Sequence, residues 1–434
     1  MTGLGWPSIV RLGLAQTAIG AIVVLMTSTL NRIMAVEYHL AVTVPAGLVA
    51  WHYAVQLTRA RWGHGSDGGR RTPWIVAGMA MLAGGAMLAT VATTMAADSP
   101  GAAIALAVVA FTLIGVGVGA AGTSLLALLA GAVAPARRPA AAAITWIMMI
   151  VGFVVTTGAA SQFLDPFTPA RLLAVVGTVC AVAFVVACAA VAGIEGAPMR
   201  PSAAIPRVSF AAALREIAAD NRARRFTVFV AVSMVAYSAQ ELILEPMAGL
   251  LFGFTPGQST GLASFQHGGA LLGMVAVGVG GNAFGRRGGT TWMRGWTIAG
   301  CVGSAVALAV LALAAVTGPA FPLRPTVFAL GLANGVFAVA AIGSMMGLAG
   351  GGGAGREGIR MGVWGAAQAV AFAVGGFAGA AGIDIGRRLT GSTPHAFVAV
   401  FLVEATVFLV AAVLAFRLDA APRAAPFTAV PQEG

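Results

Sequence analysis

"RARWGHGSDGGRRTPW", residues 59–74, gathers four arginines and an aspartate into one short run of a chain in which only 9% of residues are charged. The surroundings explain the concentration. The 434 residues are 59% hydrophobic, with a mean hydropathy of +0.91, beyond what a soluble core and surface require. A helix of about 20 apolar residues crosses a bilayer, and the sequence offers about twelve such stretches. Their limits are 12–36, 40–57, 74–96, 102–131, 140–163, 170–192, 224–246, 259–282, 290–316, 325–349, 361–383 and 395–417. The quoted run falls between the second and third. The first stretch is too long for a signal-peptide core and no small-residue cleavage site follows it, so it is expected to remain in the mature protein.

Where the charges lie matters more than the net charge of +11, which is a topology signal here and not a nucleic-acid footprint. All 25 basic residues are arginine. With the N terminus inside, 20 of them fall on the cytoplasmic side and five, Arg32, Arg171, Arg324, Arg387 and Arg388, fall outside. That asymmetry predicts a multi-pass inner-membrane protein with both termini cytoplasmic. The longest polar stretch, 193–223, divides the spans six and six. Within it Phe210, Leu214 and Ile217 share one helical face opposite charge, as an interfacial helix would. The expected organisation is a six-helix bundle over 1–192, a cytoplasmic linker over 193–223, a second bundle over 224–417 and a tail over 418–434. Cys180, Cys188 and Cys301 all fall inside spans and read as small core residues.

"GHGSDGGRR" resembles the loop motif of the major facilitator superfamily, in which a glycine is followed four residues on by an aspartate and then by Gly-Arg-Arg. Gly63 and Asp67 keep the spacing, whereas Gly69, Arg70 and Arg71 arrive one residue early. The glycines permit a tight turn, and the arginines suit carboxylates and helix C-terminal carbonyls. The resemblance implies that Asp67 sits near the eleventh span, pairs with Arg137 or Arg138, and latches two halves on the cytoplasmic side. "GGNAFGRRG", residues 280–288, takes the same place as a loop between spans eight and nine but lacks the aspartate. The echo fits a parallel six-plus-six repeat. The fold class expected is therefore an all-α membrane protein of about twelve transmembrane helices in two halves.

A narrower resemblance lies in the spans. "RLGLAQTAIGAIVVLMTSTLNRIMAVE" (11–37), "WHYAVQLTRARWGHGSDGGRRTPWI" (51–75), "ELILEPMAGLLFG" (241–253) and "FQHGGALLGM" (265–274) are similar to the PucC and LhaA family, the bacteriochlorophyll-delivery branch of that superfamily. The unbroken "RWGHGSDGGRR" looks most like the member encoded among bacteriochlorophyll synthesis genes and labelled a synthase chain. The resemblance implies a photosynthetic membrane and bacteriochlorophyll, or a late precursor, as bound ligand. It also implies light-harvesting polypeptides, a reaction-centre assembly or pigment-synthesis enzymes as partners alongside membrane lipid, with no nucleic acid. A synthase label does not fit the residues: prenyl transfer needs clustered aspartates for magnesium and diphosphate. Here the six, Asp67, Asp98, Asp165, Asp220, Asp384 and Asp419, stand apart. The chain has no lysine for a P-loop and its five histidines are scattered, so it is not expected to be an enzyme.

Polar residues inside spans are costly and are functional candidates by default. Glu241 and Glu245, four apart in the seventh span, stack on one face, so one of the two carboxyls should hold a proton. Either both face the central space, or Glu245 lies at the membrane surface where the helix stops at Pro246. Gln240 adds a hydrogen-bonding neighbour. Asn31, Arg32 and Glu37 close the first span, with Arg32 placed to pair with Glu37, to reach Glu241, or to snorkel. His52 and His267 suit axial ligation of a pigment magnesium, with the glycines of "FQHGG" letting a flat ring approach; the alternative is a hydrogen-bonded core histidine. Asp384 and Glu404 have no assigned role. Two functions follow: a light-harvesting assembly factor that binds or delivers pigment, or a proton-coupled secondary transporter of a small solute. The scarcity of charge within the spans leans toward a hydrophobic ligand.

Overall fold

Backbone in lipid must satisfy its own hydrogen bonds, and continuous helix is how these apolar stretches do so. The computed structural model describes residues 4–58, 70–134, 137–195, 219, 221–350 and 357–417, and these contain helices and no strand. We number the helices α1 (Trp6–Val36), α2 (Thr43–Gln56), α3 (Thr72–Thr94), α4 (Pro100–Ala132), α5 (Arg138–Ser161) and α6 (Pro169–Val191). They continue as α7 (Asn221–Phe252), α8 (Pro256–Gly280), α9 (Trp292–Ala320), α10 (Leu323–Gly350), α11 (Glu357–Thr390) and α12 (Thr393–Phe416). Eleven are long and apolar enough to cross a membrane. The exception is α2, whose 14 residues make about 21 Å of helix. Gly63, Asp67 and Gly69 of the arginine-rich loop, the interfacial segment Phe210–Ile217 and the tail from 418 lie outside the described residues.

Local chemistry sets the boundaries. Proline occupies the first turn of α1, α3, α4, α5, α6, α8 and α12, where its missing N–H has no helical partner to lose. Gly253 after α7 and Gly391 after α11 both adopt φ of 65°, the left-handed turn that ends a helix cheaply only at glycine.

Two features depart from the sequence reading. Residues 280–288, expected as a loop, belong to a helical run that is continuous over Pro256–Thr317. That run doubles back on itself, because Gly280 lies against the ring of Trp296, sixteen residues on. A helical connection keeps its backbone groups paired where an open loop would not. The second feature is a π-helical turn, Leu25–Thr29, inside α1. It carries one residue more per turn and so rotates everything after it about the helix axis.

The first six helices and the last six meet along α2 with α11, α5 with α8, and the distal part of α1 with α7. We call distal the end holding the turns at 37–42, 162–168 and 253–255, and proximal the end of the chain's N terminus. Glycine allows the helices of each half to approach closely. A Cβ at Gly117 would lie 2.6 Å from the Leu82 amide nitrogen, and one at Gly78 would lie 2.6 Å from that of Ala121, so α3 and α4 meet backbone to backbone. Gly375 and Gly379 do the same for α11 against Val235 and Ala239 of α7.

Candidate functional site

The distal half of α1 is joined to α7 and α8 by polar side chains in an otherwise apolar interior. The π turn supplies two of them: the Ser28 hydroxyl donates to Glu245 Oε1, and the Thr29 and Thr260 hydroxyls lie 3.1 Å apart. Past the turn, Asn31 Nδ2 donates to the Leu242 carbonyl at 2.6 Å. That carbonyl is the one to which residue 246 would donate within α7, and residue 246 is a proline. Asn31 thus replaces a backbone bond that Pro246 cannot make, and α7 continues to Phe252 instead of stopping there. Arg32, 1% exposed, pairs with Glu37 and donates to the Phe254 carbonyl at 2.5 Å; it is not bound to Glu241. Asn31 Oδ1, Arg32 Nε and Glu245 Oε2 are buried without partners, so the network is only partly satisfied.

Two aspartates close the same end. Asp384 accepts from the Val42 and Thr43 amides at 3.2 and 2.8 Å and from the Thr43 hydroxyl at 2.8 Å, holding the start of α2 to α11. Asp165, beyond α5, accepts from the Thr255 hydroxyl at 2.6 Å and the Gly257 amide at 3.1 Å, holding the start of α8. These hydrogen bonds between the halves all lie in the distal half of the molecule.

Deeper, aromatic rings of the two halves meet. Phe372 of α11 stands between Tyr53 of α2 and Tyr237 of α7, with ring centroids 5.4 and 5.7 Å away. Glu241, half-buried, stands one turn after Tyr237, whereas Glu245 accepts from Ser28, so the two stacked carboxylates have different neighbours. Gln240 is turned about 100° from Glu241 toward the other helices of its half. It is 0% exposed, and neither of its amide atoms has a partner.

The two histidines differ. His52 is buried, with Nε2 2.6 Å from Gln56 Nε2, and α4 packs against its backbone carbonyl at Gly115. His267 lies two turns along α8 from Thr260, hence on the face that meets α1. Its ring is 4.9 Å from that of Phe153 on α5, tilted by 60°, and it makes no hydrogen bond among the described residues. Of the glycines that follow, Gly268 has open space where a Cβ would be, whereas Gly269 is pressed against the Phe328 backbone of α10.

At the proximal end Arg70 is exposed. The Arg71 and Thr72 amides and the Thr72 hydroxyl donate to Glu195 at 2.7 to 2.9 Å, and the Arg71 guanidinium reaches the Ala127 carbonyl. Partial burial pushes the Glu195 carboxyl up, but these hydrogen bonds and the Arg71 charge outweigh it, leaving the group below the usual carboxylate range. Arg137, expected beside Asp67, lies over the Trp6 ring at 5.5 Å, and Arg138 donates to the Val133 carbonyl. Sequence reasoning missed Ser28, Asp165, Glu195 and Asp384. The N-terminal signals of their partner helices, Thr255-Pro256 and Thr72-Pro73, were readable, but the distant acceptors were not. Among the described residues no three His, Cys, Asp or Glu side chains converge as metal ligands.

The PUCC protein family matches residues 29–422. A "Bacteriochlorophyll synthase 44.5 kDa chain" of Rhodobacter capsulatus is 50% identical over 424 residues, 97% of each chain. "Protein PucC" of the same organism is 31% identical over 393 residues, 85% of this chain and 81% of that one. Among solved structures a peptide transporter, POT, superposes with a TM-score of 0.71 at 13% identity, covering 96% of each chain. The architecture is that of the major facilitator transporters.

Proposed function

The chain belongs to the PUCC protein family, and from that premise we propose that it is a membrane-embedded assembly factor that binds bacteriochlorophyll or a late precursor and hands it to light-harvesting polypeptides. One relative is named a bacteriochlorophyll synthase chain and another PucC, and those names support the reading. The observation that carries the reading is His267: a buried imidazole without a hydrogen-bond partner, against an aromatic ring and beside a glycine with open space. A neutral imidazole is a good axial ligand for a pigment's magnesium, and a hydrophobic ligand site generally combines apolar walls with a few polar groups. Tyr53, Tyr237, Phe372 and Phe153 supply the walls, and Glu241 a hydrogen-bonding group. The protein holds and orients the pigment; no residue set argues for chemistry upon it. The arginine-rich proximal end faces the cytoplasm by the positive-inside rule. Hydrogen bonds between the halves then hold the opposite, distal side closed.

One observation favours a second reading. The partly satisfied Ser28, Asn31, Arg32 and Glu245 network spans both halves, as the gate of a proton-coupled solute transporter would. The absorption spectrum of the full chain purified from a pigment-producing host decides between them. Bound pigment in stoichiometric amount supports delivery. A colourless protein from a host rich in pigment overturns direct carriage and leaves escort of the polypeptides, or solute transport, to explain the family.

A further inference from the structure

Four polar side chains lie inside the last six helices, away from the interface between the halves. They are Ser233 on α7, Ser304 on α9, Asn334 on α10 and Glu404 on α12, and none is more than 4% exposed.

Their level is fixed by an aromatic layer. Phe337 of α10 contacts Phe229 of α7 and Phe408 of α12, with centroids 6.2 and 6.1 Å apart. Gly300 of α9 abuts the same residue, since a Cβ there would lie 2.5 Å from the Phe337 amide nitrogen. Helices α7 and α9 run toward the distal end, α10 and α12 away from it. One turn of about 3.6 residues distal of the aromatic layer therefore come Ser233, four after Phe229; Ser304, four after Gly300; Asn334, three before Phe337; and Glu404, four before Phe408. The Ser304 hydroxyl donating to Asn334 Oδ1 at 2.8 Å agrees with this register. A further turn distal stand Leu308, Leu330 and Phe401, each 0% exposed, which seal the layer on its other side.

Within this polar layer both Glu404 carboxyl oxygens and Asn334 Nδ2 have no partner. Among the described arginines of the same helices, Arg294 lies over Phe416, Arg324 lies over Phe265, and Arg224 and Arg225 are exposed a turn or more proximal of Phe229. Tyr237 of α7, one turn distal of Ser233, packs on Phe372 of α11 and Glu241 follows a turn later, and Cys301 of α9 is a buried free thiol that brings no positive charge. A bare carboxylate sealed between apolar layers at membrane depth is too costly to persist uncompensated.

We infer that this layer is a binding site for one positive charge, either a proton on Glu404 or a sodium ion on its carboxylate, with Asn334 and Ser304 as neutral ligands. It lies within the C-terminal helices and stands apart from the pigment-binding proposal, so either holds if the other fails. The amide nitrogen of Asn334 is a donor for the carboxyl carbonyl when the charge is a proton. Its oxygen and the Ser304 hydroxyl join the carboxylate oxygens when the charge is sodium.

Infrared difference spectra of the purified full chain against E404Q, in choline buffer and then in sodium buffer, test the site. A protonated-acid carbonyl band present in the wild type, absent from E404Q and indifferent to sodium establishes the proton. Replacement of that band by carboxylate bands on adding sodium, with a rise in thermal midpoint that E404Q lacks, establishes sodium. An ionised carboxylate that responds to neither overturns the site. Should E404Q not accumulate, N334L with Glu404 intact serves instead: the acid band or the sodium response must shift, and an unchanged spectrum overturns the proposal.

Discussion

Asp165 and Asp384 perform the same act in opposite halves: each stands at the distal end of one helix and caps the start of a helix from the other half. Asp384 belongs to α11 and caps α2; Asp165 follows α5 and caps α8. Helices α5 and α11 are the fifth of their sets of six, and α2 and α8 the second, so the two caps are related by the internal repeat. Capping places a carboxylate on unpaired amides at the positive end of a helix dipole.

Removing both carboxylates should therefore loosen distal closure. Loss of a helix cap costs about 1 kcal/mol, so D165A with D384A is expected to shift the open population on the order of tenfold or more. A cysteine at the buried Ala263, in a background without Cys180, Cys188 and Cys301, would report it through its labelling rate by an impermeant maleimide added from the distal side. An unchanged rate would show that the caps hold helix starts without holding the halves.

Asn31 and Pro246 form a compensated pair. N31L leaves the Leu242 carbonyl unsatisfied in an apolar interior, at a cost of about 1–3 kcal/mol, and should lower the thermal midpoint in detergent. P246A restores an N–H at the position that bonds this carbonyl, so N31L/P246A should recover part of the loss. Additive destabilisation in the double variant would sink the compensation.

Glu195 predicts a pH dependence. Its folded-state pKa lies below the ordinary carboxylate value, so its contribution is present above that ordinary value and is lost as pH falls through the lowered one. Acidification should destabilise the wild type more than E195Q, which has lost the contribution at every pH. Midpoints followed from neutral pH into the acid range test this, and parallel curves would count against it.

Gly117 tests packing without touching polar groups. Backbone atoms of α3 already occupy the space of its Cβ, so G117V must separate α3 from α4. The expected loss is about 1–3 kcal/mol, as for an overpacked core. Unchanged thermal stability would mean that these helices part freely.

The histidines test the pigment reading. H267L removes the unpartnered imidazole and should lower bound pigment severalfold or shift its red absorption band. H52L should leave the spectrum alone, because the His52 Nε2 is engaged with Gln56. Equal spectral effects from both would remove His267 from the pigment site.

The sequence by itself determined the membrane class, the number of long apolar stretches that become helices and their approximate limits. Apolar length is read directly by lipid, and no distant partner is needed to interpret it. Residues whose role is local were also legible, such as the prolines that begin helices and the glycines that end them. What only the tertiary structure decided is which polar groups meet. Whether α7 stops at Pro246 depended on Asn31, some two hundred residues earlier, because a helix continues past proline only where another donor takes the freed carbonyl. The π turn rotates Asn31 and Arg32 by an angle that the α-helical period does not contain. Asp384 and Glu404 looked alike in the sequence, each a lone acid near an apolar span. The fold set one on the amides of α2 and sealed the other between Phe408 and Phe401, since burial and partnership belong to the packed helices and not to the helix that carries the residue.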